Sequence, residues 1–268
     1  MIVKPVAIKT LDGVADGYVL YPDEDGRYPA VIFYMDGIGL RPVLIDFARR
    51  VAERGYFVLL PNLFYRSGKA PLFNYEEFLK GINREETMGQ MMALIGQLTP
   101  DAIERDSTSY LKFLDTEQQV QPGLIATTGY CMGGSVSLRT AAYHPDRVVA
   151  AASFHGGRLA TEDLSSPHLL VDRITARLYI GHATNDRSCP QEQIEKLENA
   201  LNAANVSHRT EIYEAGHGWT MPDVAVYDEA AAEKALQCLF TLLEETLPSA
   251  FERVTNAYTP WVTGECGS

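Results

Sequence analysis

Residues 129–134 read Gly-Tyr-Cys-Met-Gly-Gly, directly after an apolar, β-prone run at 124–128 and directly before a helix-like stretch at 134–143. A Gly-x-Cys-x-Gly spacing between a strand and a helix admits few architectures. Small residues at 129, 133 and 134 let the chain reverse sharply without a clash, which lifts the side chain at 131 above the sheet. The N–H of Met132 then opens a helix, where partial positive charge can meet a developing oxyanion. The element points to acyl transfer or hydrolysis, with Cys131 as the first candidate nucleophile.

The rest of the chain is read around that bend. Residues 1–21 form an N-terminal hairpin or meander, with turn signals at Asp12-Gly13 and Asp25-Gly26. The apolar runs at 30–35, 57–60, 124–128, 148–154 and 178–181 are strands covered on both faces, with a further strand at 208–213. Helical spacing runs over 43–54, 84–97, 100–115, 134–143, 191–203 and 228–246, with Thr99 as N-cap before Pro100. Residues 61–82 are irregular and rich in aromatics. Strand alternating with helix from residue 30 onward predicts a mostly parallel sheet with helices on both faces. We read a single α/β domain over 1–268, with a core of about 15–246 and a tail of about 250–268.

Bulk properties narrow the partners. A net charge of −12 argues against nucleic acid and anionic membrane surfaces, both of which need a basic face. The N-terminal residues turn polar too soon for a signal peptide, and no run reaches membrane-span length. The cysteines at 131, 189, 238 and 266 lie far apart without metal-ligand spacing, which fits reduced thiols in a cytoplasmic protein with no metal. Cys238 reads as a small buried hydrophobe and Cys266 as part of the tail. Monomer and homodimer both remain open.

In sheets of this kind ligands gather beyond the carboxyl ends of the strands. Reactive residues fall there in four places: Asp36-Gly37, Cys131, Asp186 and Gly216-His217-Gly218. The bend at 131 is the nucleophile elbow of the α/β-hydrolase fold with a thiol in place of the usual hydroxyl, and that fold orders its triad as nucleophile, acid, histidine. Cys131, Asp186 and His217 keep that order. His217 would take the thiol proton, and Asp186 would fix its tautomer. His182 also follows a strand but precedes the acid, while His168 and His208 read as surface positions. Gly37 is placed to give a second oxyanion-hole N–H beside that of Met132. Asp36 could act on the Cys131 thiol through its charge or simply cap the turn.

Together these residues resemble the dienelactone hydrolase (carboxymethylenebutenolidase) family. The resemblance runs from about residue 15 to 246. It rests on the Gly-Tyr-Cys-Met-Gly-Gly element, on Asp36-Gly37-Ile38-Gly39, on Arg54-Gly55-Tyr56 leading to Pro61-Asn62-Leu63-Phe64, on Asp186 and on Ala215-Gly216-His217. It implies a Cys131–His217–Asp186 triad that opens a small lactone or ester through a thioester, without a cofactor, and an acidic residue at position 36 that assists the thiol. It also implies substrate contacts from Tyr130, Ile38, His155 and Trp219. Dienelactone-cleaving members carry an arginine four residues beyond the histidine, where this chain has Met221. A methionine cannot pair with a carboxylate, so the expected substrate is uncharged or differently charged. The alternative is a non-catalytic protein of the same fold that binds a small ligand or senses oxidants through Cys131.

Overall fold

A computed structural model describes residues 1–249; the expected tail and Cys266 lie outside the described residues. The Asp12-Gly13 turn closes a hairpin in which β1 (Ile2–Lys9) runs antiparallel to β2 (Val14–Tyr21), Ile2 facing Tyr21. The buried runs follow as β3 (Tyr28–Tyr34), β4 (Phe57–Pro61), β5 (Val120–Tyr130), β6 (Val148–Phe154), β7 (Arg177–Ala183) and β8 (His208–Tyr213). They build one eight-stranded sheet in the order β1-β2-β4-β3-β5-β6-β7-β8. Among the described residues only the two pairings of β2 are antiparallel; the others are parallel. This is the α/β-hydrolase arrangement expected, with its antiparallel strands at the N-terminal edge.

Among the described residues, seven helices cover the sheet: α1 (Pro42–Ala52), α2 (Tyr75–Leu79), α3 (Arg84–Gly96), α4 (Pro100–Thr116), α5 (Met132–Tyr143), α6 (Gln191–Ala203) and α7 (Glu229–Thr246). In α1, Leu44, Phe47, Ala48 and Val51 are buried, the spacing that puts one face of a helix against a core. The ion pair Arg50–Glu233 joins α1 to α7 on one face of the sheet, and Arg54, two residues past the end of α1, pairs with Glu244 of α7. On the other face α4 packs on α5, and α5 and α6 share a 3-10 turn, Pro167–Arg173. Thr99 caps α4 as expected, accepting the Ala102 N–H at 3.2 Å. Among the described residues no helix is long and apolar enough to cross a membrane.

Three details depart from the sequence reading. Strand β5 begins four residues early, because its register against β3 slips between Tyr28 and Ala30. That leaves Gln121–Leu124 partly or fully exposed, so hydrophobicity did not mark them. The irregular 61–82 segment contains the short helix α2, capped where Asn74 accepts the Glu77 N–H at 3.2 Å. His168 lies buried in the 3-10 turn, its Nδ1 2.9 Å from Ser166 Oγ, rather than at the surface.

The parallel register sets up the site. Gly129 on β5 is level with Tyr34 on β3 and Ser153 on β6, and Ser153 with Ile180 on β7. The residues leaving those strands therefore emerge side by side at one edge of the sheet.

Candidate active site

Cys131 occupies the bend between β5 and α5 with φ 55° and ψ −121°, a conformation an L-residue adopts only when its surroundings force it. Those surroundings are backbone. A Cβ at Gly129 would stand 1.9 Å from the Gly133 carbonyl oxygen, and one at Gly133 would stand 2.5 Å from those of Tyr34 and Met35. Glycine at both positions is what lets β5 turn into α5 against β3. The Cys131 N–H is shared between the Phe154 carbonyl at 3.0 Å and His155 Nδ1 at 3.1 Å. The thiol is free and half-buried. Met132 is the first residue of α5, and first-turn N–H groups have no intrahelical acceptor.

His217 and Asp186 meet it there. His217 Nδ1 lies 2.6 Å from Asp186 Oδ2, and the Cys131 sulfur lies near enough to the imidazole to favour its charged form. Burial works against a charged imidazole, but Asp186 and Cys131 outweigh it and push His217 up to about 10. Burial likewise opposes the Asp186 carboxylate, and His217 and Ser188 overcome it to hold the group below its ordinary range. The acid side chain is 3% exposed and the imidazole 31%. One group is sealed and the other remains open to a substrate. Ser188 completes the acid's surroundings: its N–H and its hydroxyl donate to Asp186 Oδ1 at 2.7 Å and 2.6 Å.

A second cysteine–histidine pair sits behind this cluster. Cys189 Sγ and His182 Nδ1 are 3.9 Å apart, both buried. Burial pushes that thiol up to about 12 and His182 down to about 4. The thiolate is the reactive form, and burial disfavours it at Cys189.

Asp36 is engaged elsewhere. Its Oδ1 accepts the Ile38 N–H at 2.9 Å and an Arg41 N–H at 2.7 Å, and its Oδ2 takes a second Arg41 N–H at 2.9 Å. Arg41 reaches on to Asp223 at 2.6 Å and 3.1 Å. Burial works against the guanidinium, yet the two carboxylates hold it above its usual range. The loop carrying Gly37 is thereby tied to the loop that follows His217. Of the two roles open to Asp36 in the sequence, these bonds are those of the turn cap. Arg41 and Asp223 had no signal of their own, since a buried arginine reads like any surface one.

The expected substrate contacts divide. Ile38 is partly exposed beside Gly37. Tyr130, His155 and Trp219 are buried at 1%, 1% and 0% exposure, so their side chains form a layer beneath the site rather than its open wall. Tyr130 stacks between Phe33 and Phe154, as the last residue of a strand facing a sheet surface must. Trp219 stacks on Tyr213. His155 accepts from Cys131, so its proton is on Nε2, which donates to Thr220 Oγ1 at 2.7 Å. Burial, followed by repulsion from His217, holds His155 well below its ordinary value, as a neutral strut between the elbow and the histidine loop. The helix α3 supplies a wall that sequence reading missed: a Cβ at Gly37 would meet Met91 Sδ and Ile95 Cδ1, each at 3.1 Å. Among the described residues no three His, Cys, Asp or Glu side chains gather as a metal site requires.

Comparison with known proteins places the chain in a family. The family described as "Dienelactone hydrolase family" matches residues 15–247. A Synechocystis protein assigned by name as a carboxymethylenebutenolidase is 28% identical over 235 residues, covering 86% of this chain and 92% of that one. A Klebsiella pneumoniae crystal structure assigned as a dienelactone hydrolase superposes with a TM-score of 0.77 at 22% identity, covering 91% of this chain and 98% of the other. A dienelactone hydrolase-like promiscuous phosphotriesterase from metagenomic libraries superposes at 0.71 with 20% identity, covering 92% and 99%. The two structural likenesses speak for the fold.

Proposed function

The chain belongs to the dienelactone hydrolase family, and on that premise we propose that it hydrolyses a small, uncharged lactone or carboxylic ester with Cys131 as nucleophile. The observation that carries the reading is the meeting of three groups from separate strand ends: the Cys131 sulfur, the His217 imidazole and the Asp186 carboxylate.

In this reading His217 carries the thiol proton as the sulfur attacks the acyl carbon. Negative charge develops on the former carbonyl oxygen, and the N–H groups of Met132 and Gly37 stabilise it. His217 then gives its proton to the departing alkoxide as the C–O bond breaks, leaving a thioester on Cys131. Water, deprotonated by His217, attacks the thioester; the acid departs and the thiol is restored. Asp186 keeps the Nδ1 proton in place and steadies the imidazolium at each stage. Asp36, held by Arg41, fixes the turn that presents Gly37. Ile38, Met91 and Ile95 give the substrate an apolar wall.

Substrate charge is inferred from Met221 and Arg41. Met221 stands where the family's carboxylate-binding arginine falls and is buried. Arg41, bonded to Asp223 in the same loop, has its guanidinium engaged by two carboxylates. An anionic substrate would find no cationic partner in either. No cofactor enters these steps, and a nucleophilic thiol suits a reducing cytoplasm. We read the described residues as one domain.

The test is turnover of p-nitrophenyl esters and simple lactones by the wild type, Cys131→Ala and His217→Ala. The reading expects hydrolysis in the wild type alone. Absence of hydrolysis from all three, with oxidant-dependent sulfenylation of Cys131, would favour a sensor instead.

A further inference from the structure

We infer that Ser188 is a positioning residue of the same site, a hydroxyl that couples the acid to the base; the inference rests on the hydrolase reading above. Its Oγ lies between both partners, 2.6 Å from Asp186 Oδ1 and 3.0 Å from His217 Nδ1. The protons can be assigned by elimination. The ionised carboxylate has none to give, so the hydroxyl proton points at Asp186 Oδ1. The Nδ1–H of His217 then points at Asp186 Oδ2 at 2.6 Å, with the lone pairs of Ser188 Oγ as a second acceptor. Asp186 is left with a donor on each oxygen and the imidazole with two acceptors for one proton. Rotation of the ring would break both contacts.

The surroundings hold Ser188 in that place. The Arg158 N–H bonds its carbonyl at 2.7 Å. A Cβ at Gly157 would come within 3.2 Å of both its Cβ and its Oγ, so the loop after β6 closes over it. The ionisable groups facing His217 are Asp186 from the loop after β7, Cys131 from the elbow and His155 from the loop after β6. Ser188 is the neutral member of that ring. One hint was present in the chain itself: in Asp186-Arg187-Ser188 the aspartate accepts the N–H two residues on, a turn favoured by aspartate.

Threonine and valine have nearly the same volume and differ in the hydroxyl, so the pair Ser188→Thr and Ser188→Val separates chemistry from packing. The steric cost against Gly157 is common to both. The expected result is that Ser188→Thr keeps kcat within a few-fold of wild type, while Ser188→Val and Ser188→Ala lose about tenfold or more in kcat with KM unchanged. In an Asp186→Ala background, Ser188→Ala should cost little further, because the hydroxyl acts through the carboxylate. Equal activity of the threonine and valine variants, together with wild-type kcat in Ser188→Ala, overturns the inference. If the added methyl disables threonine and valine alike, Ser188→Ala alone and in the Asp186→Ala background decides. Cys131→Ala, assayed beside them, separates the two failures: activity surviving there sinks the hydrolase reading, whereas activity lost there but intact in Ser188→Ala sinks only this one.

Discussion

Replacing Arg41 with methionine tests whether the two loops of the site are held by one buried cation. The Arg41 side chain is fully enclosed, and its partners Asp36 and Asp223 are 7% and 23% exposed. Methionine fills much of the same volume but leaves the Asp36 carboxylate buried with a single backbone donor. Removing one partner of a buried ion pair costs about 3–5 kcal/mol. The Asp223 contact, nearer to solvent, adds about 1 kcal/mol at most. For a chain of this size the loss should lower the melting temperature by about 10 °C. Asp36→Asn in the Arg41→Met background removes the stranded charge and should return a large part of the loss, a coupling that a double-mutant cycle measures. The same cation sets Gly37 against His217, and a displacement of about 1 Å between reacting groups can cost about a hundredfold in rate. Urea denaturation at neutral pH and ester turnover are the assays. A loss below about 1 kcal/mol, or a double variant no more stable than Arg41→Met, would refute the clamp.

Other outcomes follow from the same structure. Gly133→Ala should prevent the elbow from forming, since its Cβ would lie 2.5 Å from two carbonyl oxygens; soluble, active protein with an unchanged melting temperature would contradict this. His182 is held down to about 4 by burial against an unfolded value of about 6.5. The unfolded chain therefore binds the extra proton first, and stability should be full above pH 6.5 and fall as pH drops toward 4. The decline attributable to this residue is about 3 kcal/mol, and it should be absent from the pH profile of His182→Gln. Carboxylated dienelactone should turn over at least about tenfold less efficiently than an uncharged ester of similar size, because the pairing an arginine offers a carboxylate is missing; comparable kcat/KM values would contradict the charge argument. Met91→Ala with Ile95→Ala should raise the preference for bulkier acyl groups, read as a ratio of kcat/KM values across a p-nitrophenyl ester series.

The elbow was legible because it depends on local chemistry. Glycines at 129 and 133 face backbone oxygens and tolerate nothing larger, and a parallel sheet delivers every strand end to the same edge. Buried strands such as β3 announced themselves as unbroken apolar runs. What the sequence hid was long-range pairing. Nothing near Arg41 in the chain distinguishes it from a surface arginine, since Asp223 is 182 positions away. The family resemblance made Tyr130, His155 and Trp219 substrate contacts, but a place beside a reactive residue does not fix where a side chain points, and these three buried rings pack into the aromatic layer below. The exposed start of β5 and the short α2 carry no hydrophobic period to reveal them. The approach of α3 to Gly37 depends on where a long connection settles, which local patterning does not specify.

The most direct measurement is rapid-quench mass spectrometry of the enzyme mixed with a slowly hydrolysed p-nitrophenyl ester, followed by peptide mapping. We predict one acyl group per chain on the peptide bearing Cys131, formed with the burst of p-nitrophenol and absent from Cys131→Ala. An acyl group on any other residue, or full turnover by Cys131→Ala, would contradict the account.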